Sequence, residues 1–588
     1  MKRRAIAALV LGATTIALSS AVWVGVANGR SQGKARQYVV LAERGASQTS
    51  VRAAVRRSGG RVLRANRRIG LLTVVSKNPD FVRTATATKA IRSVGRNRPF
   101  GRSLDGRHEK FDPASLDDAL GAPPSSGSWS ERAGGDDHED EHGLEPLAGL
   151  QWDMQMIHAT PEGSYDEQKG NKKVLVGIID TGVDGTHPDI APNFDNALSR
   201  NFTTDIPEID GPCAEEVDQS CTDPANVDEG GHGTHVAGTI GAAINGLGIA
   251  GVAPGVTLVN LRAGQDSGFF FLQPTLDAMT YAADNGIDVV NMSYFTDPWL
   301  YNCRANPADS PAEQEEQALI IDATQRAADY ARAHGVTLVS ALGNENTDMG
   351  LPTPILDETS PDFPLLTEHP RTVDNSCLDV PAETDGVISV SSVGPSGAKS
   401  SFSNYGPEQN DLAAPGGWQS DFFGTPRFGS IANQVLSALP KSVATEKGWL
   451  NTDGTPNTTD VVRDCGLTVC AYYRYEQGTS MASPHVAGVA ALIVSEFGAR
   501  EGKGITMDPV DVERILSQTA TKRSCPNPPL VDYTLLNDPT LEFSPKTALC
   551  EGTPEFNGFS GNGIVDALAA VGADEDHQRH GGHDGEGH

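Results

Sequence analysis

Uninterrupted apolar runs recur along the chain beyond Trp152 and alternate with stretches of helical periodicity. "KVLVGIID" is the first, and "VTLVNLRA", "IDVVNMS", "GVTLVSALGNE" and "GVISVSSVG" follow it. Strands this uniformly apolar are buried on both faces. Between them, "PTLDAMTYAADNG" and "EEQALIIDATQRAADYARAHG" read as helices. The alternation predicts a mostly parallel sheet with helices on both faces, an α/β fold of three α/β/α layers. Ligand sites in such sheets lie beyond the carboxyl ends of the strands. Chemistry is therefore sought where the apolar runs stop.

A different pattern precedes this region. "QYVVLA" reads as a strand and "SVRAAVRRSGG" as a short helix closed by glycine. "RVLRANRRIGLLTVVS" reads as two strands, and "PDFVRTATATKAIRSV" as a second helix running into a basic stretch. The order βαββα(β) over residues 37–102 predicts a small α+β unit of ferredoxin-like type. The polar, acidic stretch that follows, including "PPSSGSWSERAGGDDHEDEH", is too hydrophilic to pack and reads as a disordered linker. At the start, "MKRR" leads into "AIAALVLGATTIALSSAVWVGVA", the pattern of a secretory signal peptide or of an uncleaved anchor. Both readings put the remainder of the chain outside the cell.

Charge changes this picture more than length does. The 588 residues carry a net charge of −30, divided unevenly. Residues 30–110 hold 20 Lys+Arg against 4 Asp+Glu, whereas residues 111–588 hold 23 against 72. A basic block of this kind usually seeks nucleic acid or an anionic surface. Here an acidic partner is present in the same chain, so docking within the molecule is expected and nucleic acid is not. The eight cysteines (Cys213, Cys221, Cys303, Cys377, Cys465, Cys470, Cys525 and Cys550) fit an exported protein with disulfides. Pairing of sequence neighbours is the expectation, foremost Cys213–Cys221 and Cys465–Cys470. No Cys-x-x-Cys pair is available for zinc.

Four places at the ends of apolar runs carry candidate chemistry. Asp180 closes "VGIID" before a Thr-Gly turn, where an aspartate also serves as an Asx-turn cap. His232 follows two glycines in "GGHGTHVAGTI", and His235 lies one helical turn on, without the glutamate of a zinc-protease helix. Ser480 sits among small residues in "EQGTSMASPHVAG", at the start of a helix that continues "VAALIV". Asn344 follows a strand and a glycine in "VSALGNENTD", where a loop asparagine is otherwise unremarkable. A serine hydroxyl becomes a nucleophile only when a base takes its proton and a third group orients that base. An amide near a helix start can stabilise the oxyanion that follows. The order Asp–His–Ser and the absence of Gly-x-Ser-x-Gly exclude the α/β-hydrolase arrangement.

Together "IIDTGVDGTHPDI", "HGTHVAGTIGA", "GVAPGV", "NMS", "GNEN", "SFSNYGPEQNDLAAPG" and "GTSMASPHVAG" resemble the subtilisin-like serine peptidases, the subtilases, in the family's own order. The resemblance covers about 150–572. It implies a serine endopeptidase in which Asp180 orients His232, His232 is the base, Ser480 the nucleophile and Asn344 the oxyanion donor. His235 and His485 fall at positions that are structural in the family. The implied domains are a signal peptide at 1–29, an inhibitory and chaperoning propeptide at 30–110, an acidic linker at 111–149, the peptidase at 150–572 and a His- and acid-rich disordered tail at 573–588. A secreted, monomeric, self-processing zymogen acting on protein or peptide substrates is expected, free of the membrane after processing. Its alternative is a catalytically silent binding protein of the same fold.

After "NMS" many members of the family have a leucine and two glycines that border the specificity pocket, whereas here the run reads Ser293-Tyr294-Phe295-Thr296, so an aromatic ring is expected at the pocket wall. Ser267-Gly268 resembles the edge that pairs with extended substrate. Asp189 and Asn245 fall near positions of a family calcium loop, so structural calcium is an expectation, and the chemistry itself calls for no cofactor. The insertion "DIPEIDGPCAEEVDQSCTDP" is expected to form a cysteine-closed loop beside the cleft. Residues 345–378 and about 418–470 are further insertions. Pro484 reads as a tolerated residue of the first helical turn.

Overall fold

In the computed structural model, the described residues are 35–96 and 145–572, apart from 215–218, 351–352, 502–503, 537 and 542–543. The expected signal peptide, nearly all of the expected acidic linker and the His-rich tail lie outside them. The basic N-terminal stretch forms β1 (Arg36–Ala42), α1 (Gln48–Arg57), β2 (Gly60–Asn66), β3 (Leu71–Ser76), α2 (Phe81–Thr86) and β4 (Ile91–Arg96). Its antiparallel sheet has the order β2-β3-β1-β4. This is the anticipated α+β unit, with Ser47 capping α1 through a bond from the Ser50 amide.

The large domain is built on seven strands, all parallel where they pair: β5 (Leu175–Ile179), β6 (Arg200–Asn201), β7 (Thr257–Arg262), β8 (Val289–Met292), β9 (Thr337–Ala341), β10 (Val387–Val393) and β11 (Leu412–Pro415). They lie in the order β11-β10-β9-β8-β5-β7-β6. Side chains alternate across the sheet as the strand period requires. Val176, Ile178 and Val289 join one apolar layer with α3 (His232–Gly241) and the helix Thr479–Phe497. Ile179, Val290 and Leu338 join the other, with α4 (Leu272–Asp284) and α5 (Pro311–Arg332). The predicted three layers are present.

The helix Thr479–Phe497, α6, is the central packing element. It is the one helix among the described residues long and apolar enough to cross a membrane, and it lies buried in the core. α5 is begun by a capping box, Ser310 with Glu313, and by Pro311 at its first position.

The N-terminal unit sits on α4 and α5, because Val39, Leu41, Ile69 and Leu71 share an apolar cluster with those helices. Around that contact Arg44, Arg64, Arg68 and Arg92 pair with Asp329, Asp277, Asp284 and Asp322 at 3.2, 2.8, 3.0 and 3.3 Å. The charge division of the sequence is expressed as this interface.

All eight cysteines are paired as sequence neighbours: Cys213–Cys221, Cys303–Cys377, Cys465–Cys470 and Cys525–Cys550. The insertions are structured. One carries the antiparallel pair Ile355–Asp357 with Arg371–Val373, and another a three-stranded sheet of Val435–Ala438, Cys470–Glu476 and Val461–Cys465.

Candidate active site

Asp180 directly follows β5, and Ser293 and Leu342 directly follow β8 and β9, so the candidate residues gather at one edge of the sheet. There a cleft of about 1330 Å³ is lined by His232, Asn344 and Ser480. Asp180 is fully buried beneath it. Its Oδ1 accepts from the Thr181 amide at 2.8 Å and lies 2.7 Å from His232 Nδ1. A carboxylate accepts only, so Nδ1 carries the proton and Nε2 is left as the basic atom. Burial disfavours the imidazolium, but the Asp180 carboxylate, with Glu476 and Asp228 beyond it, outweighs burial and lifts His232 to about 9.

Ser480 is the second residue of α6, where helix N–H groups are unpaired and the dipole is positive. Its Oγ donates to the Ser293 carbonyl at 3.3 Å. Rotation about its Cα–Cβ bond moves the hydroxyl from that carbonyl into the cleft that His232 also lines. Asn344 is held by its other end. Its Oδ1 accepts from the Thr479 amide at 2.9 Å and the Thr479 hydroxyl at 3.1 Å, which fixes the amide orientation and leaves the NH₂ as the end for a ligand. Gly343, at φ +100°, keeps this loop tight: a Cβ there would fall 2.4 Å from Asn404 Nδ2.

Ser293 lines the cleft, and its hydroxyl is turned toward α6. Its hydroxyl donates to the Ser480 carbonyl at 3.0 Å, accepts from Asn291 at 2.8 Å and meets Ser483 Oγ at 2.9 Å. The reason is Pro484, which sits in the second turn of α6 rather than the first and has no N–H to give Ser480 O. Ser293 supplies the missing donor. Tyr294 stacks flat on Phe270, with centroids 4.3 Å apart and an interplanar angle of 6°. It forms cleft wall without plugging it, and Phe295 lines the same cleft.

Ser267 and Gly268 also line the cleft, but as the tip of a turn and not as a strand edge. The Ser267 amide is taken by Asp210 Oδ1 at 2.9 Å and the Gly268 amide by the Gln265 carbonyl at 3.0 Å, so neither is open to a substrate backbone. Asp210 comes from the insertion closed by Cys213–Cys221, which does reach the cleft as expected. His235 and His485 are buried structural residues, bonded to Val435 O at 3.2 Å and Asp153 Oδ2 at 3.1 Å.

Asp189 and Asn245 do come together, but not as calcium ligands. Calcium requires several oxygens converging on one point. Around Asp189, donors converge instead: Asn245 Nδ2 at 3.2 Å, the Ile249 amide at 3.2 Å and the Tyr473 hydroxyl at 2.7 Å. Glu145 Oε1 nearby is taken by the amides of Asn245 and Gly246. The residues present do not fit the ion. Burial, only partly offset by these donors, raises Asp189 to about 7. Among the described residues one carboxylate trio gathers, Asp205, Asp223 and Asp266. Its cation is the buried Arg262, at 3.3, 2.5 and 2.7 Å.

Asp379 lines the cleft without having drawn notice in the sequence, where "LDVPAE" reads as an ordinary loop. Glu345, beside Asn344, lines it as well.

Comparison with known proteins identifies the family. Residues 171–542 match the subtilase family, described as Peptidase S8. The nisin leader peptide-processing serine protease NisP of Lactococcus lactis subsp. lactis is 31% identical over 352 residues, 60% of this chain and 44% of that protein. The epidermin leader peptide-processing serine protease EpiP of Staphylococcus epidermidis is 28% identical over 61% of this chain and 68% of its own length. Subtilisin DY of Bacillus licheniformis is 28% identical, over 59% and 84%. The chain thus spans less than half of the first relative's length and about two thirds of the second's. In fold, the crystal structure of EpiP from Staphylococcus aureus superposes with a TM-score of 0.58 at 20% identity, covering 92% of this chain and 99% of that one. With the family pattern matched over more than half of its residues, the chain belongs to the subtilase family.

Proposed function

We propose that this protein is a secreted serine endopeptidase, made as a self-processing zymogen, that cleaves protein or peptide substrates through Asp180, His232 and Ser480. The observation that carries the reading is the 2.7 Å Asp180–His232 pair opening on the cleft that holds Ser480 at the start of a buried helix. His232 Nε2 takes the Ser480 proton as Oγ attacks the scissile carbonyl, and Asp180 stabilises the imidazolium. The Asn344 NH₂ and the α6 amides receive the oxyanion. His232 then protonates the leaving amine, and water releases the acyl group by the reverse route. The chemistry calls on no cofactor.

The N-terminal unit is read as the propeptide. Its docking on α4 and α5, apolar at the centre and ringed by Arg–Asp pairs, supports a folding aid that stays bound until cleavage. The residues that follow Arg96, through 144, lie outside the described ones. Secretion is supported by the N-terminal signal pattern and by the disulfides. A single subunit suffices for the site, which is formed within one chain.

Expressing the wild type and Ser480→Ala for secretion tests this reading. The wild type is expected to lose its N-terminal segment and to be labelled by a fluorophosphonate at Ser480, while the variant stays full length and unlabelled. Equal processing of both, or a wild type that does not label, would leave a silent binding protein as the answer.

A further inference from the structure

The cleft contains a carboxylate that the proposed chemistry does not use. Asp379 is 3% exposed and lines the cleft with Ser480, yet no donor among the described residues reaches its Oδ1. A buried, unpaired carboxylate is costly unless something supplies a partner.

Its position is held by contacts of high sequence separation. Cys377, two residues earlier, is bonded to Cys303. The Asp379 amide donates to Glu383 Oε2 at 2.7 Å, and the next carbonyl, Val380 O, accepts from Thr296 N at 2.7 Å. Thr296 belongs to the loop that leaves β8, so Asp379 is tied directly to the wall made by Tyr294 and Phe295. Ala341, at the end of the adjacent strand β9, and Gly343 and Glu345, in the loop that follows it, line the same cleft and form its second wall. Ala341 carries only a methyl group and Gly343 no side chain, so neither projects a long side chain into the cleft.

Ser480 donates to the Ser293 carbonyl at the foot of the β8 loop, and Asn344 directly follows Gly343, so the two would bracket the scissile carbonyl between these segments. The side chain of the residue that carries that carbonyl then points between the walls. Building on the serine peptidase reading, we propose that this side chain is lysine or arginine and that Asp379 is the specificity-determining residue, pairing with its charge. An independent observation agrees: ten Asp or Glu residues line the cleft against three Lys or Arg. Such a field draws cationic peptides and repels acidic ones. Burial first, then the neighbouring carboxylates Glu345 and Glu383, hold Asp379 well above the ordinary aspartate range, a penalty that an entering ammonium or guanidinium relieves.

The test uses the mature wild-type enzyme and Asp379→Asn on a set of quenched fluorescent peptides. The peptides share neutral flanks and differ at the residue before the scissile bond: arginine, lysine, citrulline, leucine or phenylalanine. For the wild type, kcat/KM is expected to be on the order of 100-fold higher for arginine and lysine than for the neutral residues, as for a desolvated charge pair. In Asp379→Asn the arginine-to-citrulline ratio is expected to fall by on the order of 30-fold or more. That ratio is taken within one sample and does not depend on how much of the variant folds. A wild type that cuts leucine or phenylalanine as well as arginine overturns the inference, and so does an unchanged ratio in the variant. If the flat profile comes from an enzyme that labels at Ser480, the inference alone fails. If nothing is cut and Ser480 does not label, the peptidase reading falls with it.

Discussion

At the residue scale, the site is set by hydrogen bonds that leave single atoms available. The Asp180–His232 pair frees Nε2, and the Thr479–Asn344 bonds free an NH₂. A base must be neutral to work, so raising the His232 pKa moves the loss of activity upward in pH. The acidic limb of kcat/KM is expected to be centred above the ordinary histidine value of about 6.5 and below about 9, since about a third of the ring is open to solvent. Glu476→Gln removes one of the carboxylates that raise it and shifts the limb toward acid. A wild-type limb at or below 6.5 would show that burial prevails over Asp180. For stability the sign is opposite: the imidazolium contribution is complete below about 6.5 and is lost as pH rises through about 9. Ser293 makes a second prediction at this scale. Ser293→Ala leaves Ser480 O without its donor, which costs about 1–3 kcal/mol in urea unfolding and lowers kcat more than it raises KM.

At the element scale, strands and helices that carry their own period are readable directly. "KVLVGIID" and its four companions are β5 and β7–β10, and the glycine-flanked motifs place Asp180, His232, Asn344 and Ser480 at the expected ends. What cannot be read is set between distant segments. Ser267-Gly268 becomes a turn because Asp210, 57 residues away, takes its amide. Asp189 loses its calcium-loop character to Tyr473, 284 residues on. Asp379 is positioned through its neighbours Cys377 and Val380, which are held by Cys303 and Thr296, neither of which marks it in sequence. The insertion that ends just before Asp379 is organised the same way. Arg371 is fully buried, pairs with Asp309 at 3.0 Å and Asp357 at 3.2 Å, and lies 4.8 Å from the Trp299 ring centroid. Arg371→Met leaves those carboxylates buried without their cation and is expected to cost about 3–5 kcal/mol in denaturant unfolding. Arg304→Ala, which breaks a half-exposed pair with Asp322, costs at most about 1 kcal/mol. Similar losses for the two would mean that Arg371 does not organise the insertion.

At the scale of the whole molecule, the uneven charge of the chain raises the question of what holds the N-terminal unit in place. The Arg–Asp pairs are numerous, but Arg44, Arg68 and Arg92 are each more than half exposed at the side chain. Pairs in that setting contribute little and are screened by salt. Opposite fields speed and orient docking, whereas the affinity comes from apolar area. Leu41 is fully buried and shares its cluster with α4 and α5. In the full-length Ser480→Ala chain, Leu41→Ala is therefore expected to destabilise the docked unit by about 2–5 kcal/mol. Arg68→Ala costs at most about 1 kcal/mol, and raising salt has an equally small effect. Denaturant unfolding followed by hydrogen exchange in β1–β4 measures all three. The reverse order, with arginine removal or salt releasing the unit while Leu41→Ala does not, would make the charge division the force that holds it rather than the one that guides it.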